Sequence, residues 1–306
     1  MQEIKRVSPQ KSEKKENRMG YLFAAPGILG FLIFTAVPMV VSLYYSFNKV
    51  SVLDSPKWVG LDNYVEMLTG KSSLFLKSMS VTLIYALCNV VIVMAFSIVI
   101  AILLNRKFRG RNTLRALFFL PSVLPVVTTT ILWSWILDYR SGLMNQLLNF
   151  LGIRSQNWLL DERNIFISLF MMSLWAAGGS IVVMIATLQD VPSSLLEAID
   201  VDGGGALAKT IHVVLPMISP VVFFQTIMCL ISSLQIFTQS LMLSSNGSPN
   251  RMTYFINVMV YDEAFKQLKM GSASAEAWGM FVVILALTGL LFWSKKYWVF
   301  DNGGDK

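Results

Sequence analysis

Six stretches of the chain, residues 19–48, 78–105, 116–137, 164–189, 210–250 and 277–294, contain no Asp, Glu, Lys or Arg. No other feature narrows the fold as much. A helix needs about 20 mostly apolar residues to cross the hydrocarbon core of a bilayer. Five of the stretches supply that length with room to spare, and 277–294 is just long enough. The composition agrees: 55% of residues are hydrophobic, 14% are charged and the mean hydropathy is +0.59. A soluble domain carries about 25% charged residues. The chain therefore reads as an all-α, polytopic membrane protein.

The stretch 210–250 is too long for one span. Pro216 and Pro220 mark its entry, and the turn-like run Ser244-Ser245-Asn246-Gly247-Ser248-Pro249-Asn250 marks its exit. The fifth helix is then expected near 217–241. The full set is six helices near 20–47, 79–104, 116–137, 164–188, 217–241 and 277–294. The first is a signal anchor, because its apolar part outruns the ~7–15 residues of a cleavable signal core. Residues 1–18 form a polar, charge-mixed arm expected to be disordered. A membrane domain fills 19–298, and 299–306 is a short tail.

Net charge is +7 and the pI is near 9.4. In a membrane protein such an excess reports orientation and not a nucleic-acid partner. With the N-terminus inside, the inner segments hold 15 Lys and Arg and the outer ones 10. The compact loop Asn105-Arg106-Lys107-Phe108-Arg109-Gly110-Arg111 casts the strongest single vote. Both termini are expected in the cytoplasm, together with the connecting segment 189–216.

Catalytic and metal chemistry find little support. Cys88 and Cys229 lie in apolar runs and read as small core residues. The one histidine, His212, has no ligand cluster around it and reads as a polar residue on a helix face. Thr69-Gly70-Lys71-Ser72 is half of a phosphate-binding loop, but Val65 stands where that motif needs glycine. Asn246-Gly247-Ser248 matches a glycosylation sequon and reads as a turn.

Segment 189–216 is the polar exception between two oily spans. Ser194-Leu195-Leu196-Glu197 has the Ser-x-x-Glu pattern of a capping box, just after Pro192. A short helix should run from there to about Asp202. Gly203, Gly204 and Gly205 can take positive φ and stop it. A second helix then begins near Ala206. The first helix sets Leu195, Leu196 and Ala198 beside Glu197, Asp200 and Asp202. Anionic headgroups repel such a charge, so the elbow is either a docking element for a cytoplasmic protein or an ordinary amphipathic connector.

These residues carry a family resemblance. Glu197, Ala198, Asp202, Gly203, Leu215 and Pro216 resemble the cytoplasmic loop of binding-protein-dependent ABC importer permeases, at the same spacing. Ile199, Gly204 and Val213 depart from that pattern by small or apolar exchanges. The first span with Pro26 and Pro38, Trp58-Val59-Gly60-Leu61-Asp62-Asn63-Tyr64, Arg109-Gly110-Arg111, Phe118-Phe119-Leu120-Pro121 and Lys296-Tyr297-Trp298-Val299 are similar to the carbohydrate branch. The resemblance implies the type I importer permease fold. It implies that Ser194, Glu197, Ala198, Asp200, Asp202, Gly203, Leu215 and Pro216 form the coupling loop that meets an ATPase. It also implies a second, homologous permease, two ATPase subunits that use ATP and Mg, an extracellular binding protein and a sugar substrate. This chain itself is then a non-catalytic subunit of a bacterial plasma membrane, with no cofactor of its own.

Transport needs a polar path near the midplane. The spans offer only uncharged groups. These are Trp175, Gly178, Gly179 and Ser180 in the fourth span, and Gln225, Thr226, Ser232, Ser233, Gln235, Thr238 and Gln239 in the fifth. Amides and hydroxyls bind sugar hydroxyls and an indole stacks on a sugar ring. Each residue has a plainer reading as a helix–helix contact worth about 0.6–2 kcal/mol. Segment 254–270 reads as an amphipathic helix on the outer face; resemblance makes it a contact for the binding protein, its plainer role is packing against the bundle, and the two are compatible. The alternatives are an ion-coupled secondary transporter, which typically carries ionisable residues or broken helices at midplane, a permease for a non-sugar solute, or a membrane enzyme, for which no nucleophile–base set is present.

Overall fold

A computed structural model describes residues 9–51, 55–69, 74–243 and 252–300, with side chains from residue 19 onward. The turn expected at 244–250 and most of Thr69-Gly70-Lys71-Ser72 lie outside the described residues.

The chain is helical almost throughout. Helix α1 (Pro9–Phe31) passes through a π-turn at Leu32–Ala36 into α2 (Val37–Ser46). Residues 9–18, expected as a disordered arm, belong to this helix. They are rich in good helix formers, and proline suits the first helical position. A two-residue pairing of β1 (Asn48–Lys49) with β2 (Lys57–Trp58) and helix α3 (Asp62–Thr69) lead to α4 (Leu74–Asn105). Then come α5 (Arg111–Phe119), a 3-10 turn at Leu120–Val123, α6 (Val126–Ile136) and α7 (Leu143–Phe150). Helices α8 (Ile165–Trp175), α9 (Gly178–Gln189), α10 (Ser193–Val201) and α11 (Ala206–Lys209) follow. A π-turn at Thr210–Val214 opens into α12 (Leu215–Leu234), and α13 (Thr238–Leu243), α14 (Ile256–Tyr261) and α15 (Met270–Trp298) complete the chain.

Four helical segments are long and apolar enough to cross a membrane: Met19–Ser46, Leu74–Asn105, Ala206–Leu243 and Met270–Trp298. Two bent pairs, Arg111–Val123 with Val126–Ile136 and Ile165–Trp175 with Gly178–Gln189, bring the count to six when each pair is one span. The bends revise the expected straight helices. The third span turns by 106° where Pro121 and Pro125 interrupt it. Leu124, before Pro125, is forced into extended backbone at ψ 140°. The fourth bends by 48° at Ala176–Ala177. The fifth stops at Gln235 and restarts at Thr238, although no proline or glycine stands there. Ile236 is instead drawn into a buried cluster with Tyr85, Leu169 and Phe255. Packing, not propensity, ends that helix.

Helix α4 is the central post and packs on α8, α9 and α12. Val93, Met94 and Ala101 of α4 meet Ile181, Met184, Ile185 and Leu188 of α9 and Ile218 of α12. Segment 254–270 packs its apolar side against the bundle and leaves residues 265–269 exposed. Phe255, Ile256, Val258 and Met259 are buried, and the Ile256 N–H donates to Thr82 Oγ1 at 3.1 Å. Its apolar side faces the bundle because α4 and α15 offer the matching core, Phe75, Met79 and Met280.

Candidate functional site: a polar cavity linked to an exposed elbow

A cavity of about 490 Å³ opens where the fourth and fifth spans break. Of the residues singled out in the sequence, Ser180, Gln225, Ser232, Ser233, Gln235 and Gln239 line it, as does Thr238. Ser180 Oγ donates to Gln225 Oε1 at 3.3 Å across α9 and α12. Thr226 turns back on its own helix and bonds the Val222 carbonyl.

Other side chains in the cavity went unremarked in the sequence. Tyr85 and Asn89 come from α4, Thr129 and Thr130 from α6, and Ser173 from α8. Asn89 Nδ2 donates to Ser233 Oγ at 2.8 Å, and Tyr85 Oη sits 3.1 Å from Ser173 Oγ. The signal was present: Asn89 is an amide deep within an otherwise apolar run. Every described lining residue is uncharged.

Trp175 and the glycine pair are placed differently. Trp175 lines a separate apolar groove of about 520 Å³ with Phe96, Leu117, Phe118, Pro121 and Trp133. Its ring meets that of Trp133 edge to face, 6.1 Å between centroids. Trp175 is half-buried in that groove and is not among the residues that line the polar cavity. Gly178 is a packing residue, since a Cβ there would overlap the Phe118 carbonyl and lie 2.9 Å from Phe119 Cα. Gly179 has open space around it and lines neither cavity.

The elbow sits at the far end of α9 and α12. Helix α10 begins at Ser193 after Pro192, which holds the N-cap position in extended backbone. No side chain caps it, so Ser194 and Glu197 do not form the expected box. Proline supplies the rigid entry instead. The exit is a Schellman motif: Gly204 N–H reaches the Ile199 carbonyl at 2.8 Å and Gly203 N–H the Asp200 carbonyl at 3.1 Å. Only Gly203 of the three glycines takes positive φ, +78°. Gly204 is needed for space, because a Cβ would collide with the Ile199 side chain. Lys209 on α11 pairs with Asp200 on α10 at 2.5 Å and holds the two arms together.

Glu197, Ala198, Asp202 and Ser194 are exposed on this elbow. So are apolar Val201, 87% accessible, and Leu207, 73%. Leu215 and Pro216 stand apart from them, half-buried at the start of α12, with Leu215 against the core around Ile218. His212 is exposed and its Nδ1 lies 3.1 Å from the Ala208 carbonyl within its own helix.

A family profile described as binding-protein-dependent transport system inner membrane component matches residues 92–296. The chain is 37% identical over 296 residues to the probable ABC transporter permease protein YesP of Bacillus subtilis strain 168, covering 96% of this chain and 95% of that protein. It is 28% identical over 271 residues to the arabinooligosaccharides transport system permease protein AraP of the same organism, covering 88% and 85%. Its fold superposes on a chain from the crystal structure of a bacterial alginate ABC transporter in complex with alginate pentasaccharide-bound periplasmic protein. The TM-score there is 0.82, at 19% identity, covering 93% of this chain and 96% of that one. The chain belongs to the binding-protein-dependent transport system inner membrane component family: it is a multi-pass membrane permease of an ABC transporter.

Proposed function

We propose that this permease carries a carbohydrate into the cell as one of two transmembrane subunits of an ATP-driven importer. One observation carries the reading. Helices α9 and α12 each place a hydroxyl or amide in the uncharged cavity, Ser180 and Gln225, and each leads directly into the exposed elbow at its other end. A push on the elbow therefore reaches the cavity along two helices. Relatives named for arabinooligosaccharides and for trehalose/maltose support a sugar as cargo. Amide and hydroxyl groups lining an uncharged cavity suit a polyhydroxylated, uncharged ring.

The elbow docks two kinds of chemistry at once, the acidic Glu197 and Asp202 and the apolar Val201 and Leu207. It fits an ATPase subunit that binds ATP and Mg, while this chain performs no hydrolysis. A second permease, a second ATPase and an extracellular binding protein complete the assembly. The excess of Lys and Arg at the elbow end supports a topology with that face and both termini in the cytoplasm of a bacterial plasma membrane. Closure of the ATPases moves the elbow, the α9–α12 pair shifts against α4, and the cavity changes the side on which it opens.

The test is reconstitution. The complex is purified from native membranes in mild detergent, its co-purifying chains are identified by mass spectrometry, and it is placed in proteoliposomes with the binding protein. Neutral and acidic oligosaccharides are offered with ATP inside, with and without a protonophore. ATP-dependent, protonophore-insensitive uptake of a sugar is the expected result. Uptake that collapses with the proton gradient at constant ATP would sink the ATP-driven reading in favour of a secondary transporter.

A further inference from the structure

Helix α7 follows α6 through a short, rigid turn at residues 137–142. The Asp138 carboxylate accepts the backbone N–H groups of Arg140 at 3.0 Å and Ser141 at 2.8 Å, and the Ser141 hydroxyl at 2.8 Å. Gly142 closes the turn, and a Cβ there would lie 2.6 Å from the Asp138 nitrogen and the Ile136 oxygen. The turn has no slack, so α7 is held directly at the end of α6.

One side of α7 is tied down. Asn145 Nδ2 donates to the Tyr139 carbonyl at 3.1 Å and the Gln156 carbonyl at 2.9 Å. Its Oδ1 accepts Gln156 N–H at 2.9 Å and Trp158 Nε1–H at 3.0 Å. The other side is bare. Leu143 is 65% exposed, Leu147 55%, Phe150 87% and Leu151 61%. Their spacing, i, i+4, i+7 and i+8, puts them on one stripe of the helix surface. Scattered apolar residues on a surface are ordinary, but a contiguous stripe marks an interaction. Helix α7 has no charged residue of its own, and exposed Arg140 and Arg154 flank it.

We propose that α7 is a membrane-surface helix whose stripe of Leu143, Leu147, Phe150 and Leu151 sits in the headgroup–acyl boundary of a phospholipid leaflet. The choice of lipid rests on continuity. The stripe follows directly on α6, part of a candidate membrane span, where Ile131, Leu132 and Trp135 are exposed; exposed Trp135 and Tyr139 lie at the junction of the two, and aromatics of this kind gather at membrane interfaces. An amphipathic helix with basic residues beside its apolar face takes that position, with arginines reaching the lipid phosphates. Such a helix braces the outlet of α6, which contributes Thr129 and Thr130 to the cavity.

The test uses the complete transporter in nanodiscs of phosphatidylethanolamine and phosphatidylglycerol. In a Cys88→Ala, Cys229→Ala background, nitroxides are placed at Leu147→Cys, Phe150→Cys, Gln146→Cys and, as a lipid-facing standard, Leu132→Cys. The labels at 147 and 150 should be more accessible to oxygen than to a water-soluble nickel chelate, like the label at 132. The label at 146 should show the reverse. Water-like accessibility at 147 and 150 would overturn the proposal. So would shielding from both reagents, which would assign the stripe to a protein partner. Should these variants fail to assemble, photoreactive phosphatidylglycerol with a diazirine near the glycerol is applied to the unmodified complex. Crosslinks within residues 143–151 are expected there. Their absence, with the spans labelled, would overturn the proposal equally.

Discussion

Gly178, the first residue of α9, rests directly on the Phe118 carbonyl near the end of α5, leaving no room for even a methyl group. The two bent spans therefore touch backbone to backbone at their elbows. The neighbouring atoms are main chain and cannot rotate away. Overpacking a tight site costs about 1–3 kcal/mol. Gly178→Ala should lower the thermal midpoint of the purified complex, and Gly178→Val should prevent its assembly. Gly179→Ala, with open space around it, is the control and should leave both unchanged. Size-exclusion profiles and a thermal-shift series check this.

Asn89 and Ser233 bridge α4 and α12 inside the cavity at 2.8 Å. Hydrogen bonds between membrane helices average about 0.6 kcal/mol and reach about 1.7. A double-mutant cycle of Asn89→Leu and Ser233→Ala should return a coupling energy in that range by denaturant titration. Since both groups line the cavity, each single variant should also raise the sugar concentration needed for half-maximal uptake. An unchanged uptake constant would confine the pair to structure.

Gly203 holds φ +78° at the C-terminus of α10. A β-branched residue there meets a left-handed penalty of about 1–2 kcal/mol. Gly203→Val should abolish uptake while membrane insertion survives, because the spans themselves are untouched. Gly203→Asn, which tolerates that backbone, should keep most of the uptake. Normal transport in the valine variant would separate the elbow from coupling.

Asp138 carries the turn between α6 and α7. The backbone N–H of Ser141, then its hydroxyl and the backbone N–H of Arg140, hold the carboxyl below its ordinary value. A lowered folded-state value means that the turn is strongest above the usual aspartate range and loosens as pH falls through the lowered one. Hydrogen exchange at the Arg140 and Ser141 amides should therefore stay slow from neutral pH to about 4 and, corrected for intrinsic rate, quicken at stronger acid. Asp138→Ala should exchange fast throughout.

Much of the fold was legible in local composition. The charge-free runs located the spans, since hydropathy sums along the chain and needs no knowledge of neighbours. The helix ending at Gly203 was equally readable, because a glycine at a helix end is a local backbone choice. Its start was misread. Ser194-x-x-Glu197 had the letters of a capping box, but Pro192 had already fixed the entry. The cavity was half legible: the polar groups of the fifth span pointed to it, whereas Tyr85, Asn89, Thr129 and Ser173 lay in runs that read as plain apolar helix.

The sequence by itself determined where the apolar spans lie, that the polar groups within their charge-free runs are neutral, and that a polar elbow with a glycine stop separates the fourth and fifth spans. Tertiary structure alone decided that the fifth span breaks at Gln235 and that Trp175 meets Trp133 in an apolar groove separate from the polar cavity. The physical reason is reach. A span forms from backbone pairing and lipid around it, both satisfied by residues close in sequence. The direction a side chain faces is set by partners such as Asn89 and Ser233, 144 positions apart, which only the packed bundle brings together.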